Sequence, residues 1–274
     1  MAELAAARPP AWQAYRALIG SRARAQLAYR TSFALDLAGS ATIGLVEFGE
    51  VYVIFHNVPV LGGLDFTAAM LVFAIANLGF SIADIACGQL DEIPTHLRAG
   101  TLDAVLLRPL PALAQLAAAD VSLRRLGRGG FAVVLLAIAL ARSDVEPTPA
   151  NVALLAISPV SGAVIFSALF VAAGAAQFWL IDAQEVTSAF TYGGGYAASF
   201  SPAVLPLPVR VLFTFVVPAA FTAYLPAIAV LGLPGPPALP AWLGWFAPVV
   251  AVLAWITALA GWRAGLRRYT GAGG

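Results

Sequence analysis

The stretch FTAAMLVFAIANLGFSIADIA, residues 66–86, holds a single charged side chain, Asp84, in 21 positions. About 20 apolar residues in a helix are enough to cross the hydrocarbon of a bilayer. Lipid offers no partner to a backbone N–H or C=O, so a chain that crosses it must satisfy these groups internally, and the simplest solution is a helix. Outward from this segment, residues 33–55, 126–142, 151–181, 187–200, 209–231 and 242–262 are apolar as well. The 33–55 segment carries Glu47 and Glu50. The 126–142 segment is short, with Arg128 and Arg142 placed to snorkel at its ends. Pro159 can kink the long 151–181 segment, and Trp242 and Trp262 bracket the last one as interfacial aromatics do.

Composition agrees. Of 274 residues 61% are hydrophobic and 11% charged, against about 25% charged in soluble domains. A soluble enzyme and a disordered chain are excluded. A formal net charge of +1 provides no field for a phosphate backbone, so nucleic acid is excluded as a partner. All fifteen basic residues are Arg. Without Lys there is no P-loop lysine and no Schiff base, so the chain has no nucleotide site of the Walker type. Cys87 is the only cysteine, and His56 and His96 are the only histidines, far apart in sequence. Cysteine zinc clusters, His-rich metal sites and Ser-His-Asp triads are therefore not expected. The reading is not an enzyme, with no catalytic and no metal residues.

The arginines set the orientation. Five lie in the first thirty residues, five more are Arg98, Arg108, Arg124, Arg125 and Arg128, and three are Arg263, Arg267 and Arg268. These thirteen fall on one side if the number of spans is even, and the positive-inside rule makes that side cytoplasmic. Residues 1–32 contain no signal-peptide core. Trp12, Tyr15, Leu18, Ile19 and Leu27 share much of one helical face opposite Arg16, Arg22, Arg24 and Arg30, as in a helix lying on a membrane surface. The 56–65 loop has no Arg and faces out. Both termini inside means six spans from seven apolar stretches, so one stretch is re-entrant. Pro218 and Pro226 favour 209–231 for that role, whereas Arg210 favours a full span there. Hydropathy leaves both assignments open.

The longest polar interval lies between 88 and 125 and reads QLDEIPTHLRAGTLDAVLLRPLP from 89 to 111. Gly100 suits a turn, Thr101 can cap a short helix, and Asp103 sits in its first turn, where the dipole favours an acid. Leu102, Leu106 and Leu107 are expected on one apolar face, with Arg108 in the last turn and Pro109 and Pro111 ending the helix. So small an apolar face must dock on the membrane domain or on another protein.

Residues 100–111, together with DVSLRRLG at 120–127, resemble the cytoplasmic loop of a bacterial type-2 ABC exporter permease family, whose loop reads approximately Gly-x-Leu-Asp-x-Leu-Leu-Leu-Arg-Pro-Leu. Tyr29-Arg30 with Phe33, LGGLD at 61–65, PLPVR at 206–210 and VPAAFTAYLP at 217–226 are similar to the same family, with Leu64 standing where Trp is expected. The resemblance implies a six-span, all-α permease: an N-terminal amphipathic helix (1–32), a transmembrane domain (33–265) with a cytoplasmic coupling loop (88–125) and a re-entrant segment (201–232) before the last helix, and a cytoplasmic tail (266–274). It implies a bacterial plasma (inner) membrane location. It implies two ATPase subunits that bind ATP and Mg and a second permease, a different paralogous chain. Gly100, Thr101, Leu102, Asp103, Leu106, Leu107, Arg108 and Pro109 would form the coupling helix seated on the ATPase. The substrate expected from composition is hydrophobic or amphiphilic, a drug, lipid or peptide, moved outward.

Some residues stand apart from that motif. Glu47 and Glu50 are three apart on one helix face, at a depth where a carboxylate must face protein or a water-filled cavity. Either they attract cationic amphiphiles or carry protons, or they make an inter-subunit hydrogen bond or face an exposed outer vestibule. Phe213 and Phe215 can line a substrate path or simply pack. Gly193–Gly195 between Tyr192 and Tyr196 lacks a Lys partner for phosphate and reads as a hinge or close-packing point. The competing function is a stand-alone proton-coupled carrier, or a membrane-embedded enzyme, with Glu47, Glu50 and Asp84 as relay.

Overall fold

The computed structural model describes residues 20–21, 24–119, 122–180, 184–236 and 239–271. Most of the expected N-terminal amphipathic helix lies outside them. Among the described residues the chain is helical, with one isolated bridge between Leu61 and Leu64 and no strand. The long helices are α1 (Arg30–Asn57), α2 (Phe66–Cys87), α6 (Leu126–Arg142), α7 (Pro149–Ala176), α8 (Gln184–Ala198) and α11 (Ala247–Arg268). Between α2 and α6 run α3 (Ile93–Arg98), α4 (Leu102–Leu106) and α5 (Ala112–Ala117), and between α8 and α11 run α9 (Leu207–Val211) and α10 (Tyr224–Val230).

Four segments are long and apolar enough to cross a membrane: Arg30–Asn57, Phe66–Arg98, Pro149–Ala176 and Ala241–Arg268. A fifth counts if Leu207–Val216 and Ala219–Val230, bent by 64° at their junction, are taken together. The other two helices of the six expected, α6 and α8, have 17 and 15 residues.

Helix α2 is the axis. Its side chains from Ala68 to Asn77 are buried without interruption, because α6, α7 and α8 all pack against it. Asp65 caps its first turn, accepting from the Ala68 N–H at 2.8 Å. The preceding turn needs Gly62 and Gly63, whose φ values of 59° and 82° only glycine adopts without strain. Helix α11 packs chiefly along α7, and α1 leans on α6 with most of its surface exposed. At the α1–α6 crossing a Cβ on Gly127 would meet the Leu37 carbonyl oxygen and the Ser40 Oγ. Both are fixed by helix geometry, so Gly127→Ala is expected to lower stability by about 1–3 kcal/mol, read as a lower melting midpoint in detergent; an unchanged midpoint would mean that the crossing relaxes.

Two contacts give the direction of α8. Near its start Gln184 donates to the Asp91 carbonyl at 3.2 Å, beside the 88–125 segment. Past its end Ser201 Oγ donates to the Gly62 carbonyl at 2.8 Å, in the 58–65 turn. The bent pair follows at that second end. Arg210, which the sequence offered as a sign of a full span, instead binds the carbonyls of Pro202, Ala203 and Leu205 at 2.9, 2.8 and 3.1 Å. Its charge caps a local turn and carries no information about sidedness. Pro218 marks the break, while Pro226 lies in the first turn of α10, where a missing N–H costs nothing.

Candidate functional site

The 88–125 segment forms a compact cluster of short helices. Gly100 takes φ of 65°, the turn expected of it. Thr101 does not cap α4. Its backbone is already helical, its N–H donates to the His96 carbonyl, and its hydroxyl pairs with His96 Nδ1 at 2.8 Å. The tight turn at Gly100 brings Thr101 back over α3, so the hydroxyl serves that helix. The side chain of Gln115 supplies what the sequence did not reveal: its amide donates to the carbonyls of Val105 and Leu110 at 3.1 and 2.8 Å and closes the end of α4.

The three leucines do not share a face. Leu102 is fully buried in the core, Leu106 is 43% exposed and Leu107 is 86% exposed. The reason is angular: five residues at 3.6 per turn carry Leu107 about 140° round from Leu102. Leu102 roots the helix in the membrane domain. Leu106, Leu107, Arg108 and Pro109 project as an exposed tip. Asp103, half-buried, faces Tyr269 just beyond α11, and burial together with this carboxylate pushes the Tyr269 phenol up from its ordinary pKa. The base of the tip therefore lies beside the residues that follow the last helix, where a Cβ on Gly271 would come within 3.8 Å of the Asp103 carboxylate. Leu102→Ala is expected to destabilise the fold by about 2–5 kcal/mol, seen as a loss of monodisperse protein in detergent; normal behaviour would show that Leu102 does not anchor the tip.

The second cluster joins the interiors of α1 and α2 to the start of α6 and the end of α8. Arg128 does not snorkel. It turns inward, donating to Glu47 Oε2 at 2.5 Å and to Asn77 Oδ1 at 2.8 and 3.0 Å, with its guanidinium over the Phe80 ring at 5.0 Å. Asn77 donates in turn to Ser199 Oγ at 3.3 Å. Glu50 accepts from the Tyr196 hydroxyl at 2.9 Å. Four helices or their ends, α1, α2, α6 and α8, meet in this network. It borders a cavity of about 140 Å³ walled by Phe73, Phe80, Tyr192, Tyr196 and Phe200. Gly195 lets α8 approach, since a Cβ there would lie 2.8 Å from Phe80, and Gly194 has Val217 at 3.1 Å. Close packing is therefore the role of two of the three glycines.

A third region separates the aromatic candidates from the acids. Phe213 packs half-buried against the core. Phe215, 62% exposed, lines an open groove between α7, α11 and the bent pair. Neither residue borders the Glu47 cavity, so the two acids and the two aromatics expected along one substrate path do not share one site. Sequence reasoning missed the partners of Glu47 and Asp91, whereas Asp84 has the arginine partner that its place near a helix end suggests. Asp84 is bound by Arg125 at 3.2 Å and Asp91 accepts from Tyr192 at 2.8 Å. One signal was present: an intramembrane Arg and an intramembrane Glu each need a partner, and each is the other's simplest one.

A family model described as ABC-2 family transporter protein matches residues 42–273. No curated protein and no solved structure matches the chain.

Proposed function

This chain belongs to the ABC-2 transporter family, and on that premise we propose that it is the permease subunit of an exporter in which α4 is the coupling helix. As a member it is a multi-pass membrane component of an ABC transporter without an ATPase site of its own. The rest is inference. The observation that carries it is the tip of α4: a leucine 86% exposed, followed by Arg108 and Pro109, on a helix whose first leucine, Leu102, is rooted in the core. An exposed apolar knob on a base anchored by a buried leucine is what a groove on a partner can grip.

In this reading α1, α2, α6, α7, α8 and α11 are the six spans, and the bent pair at 207–230 is re-entrant from the side of the 58–65 turn. The 88–125 segment and both termini are cytoplasmic, in a bacterial inner membrane. Two ATPase subunits bind ATP and Mg, and a second permease, a different paralogous chain, completes the complex. ATP favours the closed ATPase dimer because it binds that state better. Closure displaces α4, and the displacement passes through Leu102 into the core and through Asp103 and Tyr269 to α11. The cargo is hydrophobic or amphiphilic, in keeping with walls that offer few polar groups.

Affinity purification from the native membrane tests this. An ABC ATPase subunit is expected to co-purify, and its hydrolysis to rise when the permease is present. A chain that moves substrate in proteoliposomes with no ATPase would overturn the reading in favour of a carrier. That carrier would need Glu47 to exchange protons, whereas here its carboxylate holds Arg128.

A further inference from the structure

The open groove between α7, α11 and the bent pair measures about 600 Å³, a size suited to a drug-sized ligand. Small residues make its floor: Ala172 and Ala175 on α7, Ala258 and Gly261 on α11. Such a stripe alone says only that helices are narrow there. Thr214 adds something different. It lines the groove, is 1% exposed, and its hydroxyl has no hydrogen-bond partner.

The backbone at the same residue is also short of partners. Thr214 lies in a π-helical turn, Leu212–Val216, a distortion found mostly at functional sites. Its carbonyl would ordinarily accept from the N–H three, four or five residues on. The Val217 N–H is engaged with Leu212, Pro218 has no N–H, and the Ala219 N–H is engaged with Val217. The hydroxyl thus lacks a partner, and the N–H groups that would ordinarily reach the carbonyl of the same residue are engaged or missing, in a setting where an unmet polar group is costly. The two together can accept from and donate to a single group that does both.

We propose that this groove binds an apolar amphiphile bearing one hydroxyl, taken from the bilayer, with that hydroxyl on Thr214 and its hydrocarbon lying along Ala172, Ala175, Ala258 and Gly261. Water is not the occupant of a trough whose walls are almost wholly apolar side chains. The site is separate from the Glu47 cavity. The inference rests on the reading of α7 and α11 as spans and is independent of transport.

The test uses the full-length protein in lipid nanodiscs and two photoactivatable probes of equal length, a long-chain alcohol with a diazirine in its chain and the methyl ether of that alcohol. The alcohol is expected to label the α7 and α11 peptides about tenfold more efficiently, the effect of one hydrogen bond that the ether cannot donate. Thr214→Val should bring the alcohol down to the ether's level. Ala172→Phe, at an exposed position where the larger ring disturbs no core contact, should abolish labelling by both. Equal labelling by the two probes, or a preference that survives Thr214→Val, overturns the proposal. Labelling of other spans with none in the groove overturns it while leaving the membrane reading intact; no labelling anywhere defeats both.

Discussion

Arg128→Leu is expected to be the most damaging single substitution in the membrane domain. Arg128 makes three hydrogen bonds, one to Glu47 and two to Asn77. Its loss strands a carboxylate on α1 and an amide oxygen on α2. Breaking a buried ion pair from one side costs about 3–5 kcal/mol. The side chains of Arg128 and Glu47 retain 23% and 27% exposure, which places the loss toward the lower end. Helix α1 makes the effect global. Most of its surface faces away from the bundle, and besides this pair it is held by Phe48, which meets the rings of Phe66, Phe73 and Phe131, by Tyr52 and Phe55 against Phe66, by the Glu50–Tyr196 hydrogen bond and by the close crossing at Gly127. The double variant Glu47→Leu with Arg128→Leu removes both charges and should recover most of the loss, because a matched apolar pair replaces a buried ion pair at little net cost. Melting of purified protein followed by tryptophan fluorescence gives the comparison. A single variant as stable as the parent, or a double variant as unstable as the single, would show that the pair does not hold α1.

The same pair shows where sequence reading stops. Four of the apolar segments were legible as helices long enough to cross, because lipid imposes a rule on every residue of a crossing segment: 66–86 matches α2 at Phe66–Cys87, and 33–55 lies inside Arg30–Asn57, while α6 and α8 are shorter. The break at Pro218 was legible for a similar reason, since a missing N–H interrupts the ladder wherever the side chains point. Direction was not legible. Whether Arg128 reaches out to headgroups or in to Glu47 depends on which face of α6 meets α1 and α2, and hydropathy does not record faces. The α4 leucines failed on length: a helix of five residues has too little periodicity to assign a face, and the core beneath Leu102 comes from residues distant in sequence. Phe213 and Phe215 show the limit of composition, since aromatics two residues apart on one distorted turn end in different environments.

Leu107→Asp should leave the fold intact and remove the coupling that the proposed function requires. At 86% exposure the leucine contributes almost nothing to the isolated subunit, so its replacement should change stability by no more than about 0.5 kcal/mol. If the tip seats in an apolar groove of an ATPase, the same change buries an unpaired carboxylate at the centre of an interface. Truncating a central contact already costs about 2 kcal/mol or more, and each 1.4 kcal/mol is about tenfold in affinity. A loss of about thirtyfold in ATPase binding follows, with stimulated hydrolysis and transport falling together. Leu102→Ala is the necessary contrast. It should lose binding only as far as it loses folded protein, because Leu102 touches the core and not the partner. A Leu107→Asp protein that melts normally yet still binds and drives its ATPase at parental levels would remove α4 from the power stroke, and with it the account of how a chain without a nucleotide site is moved.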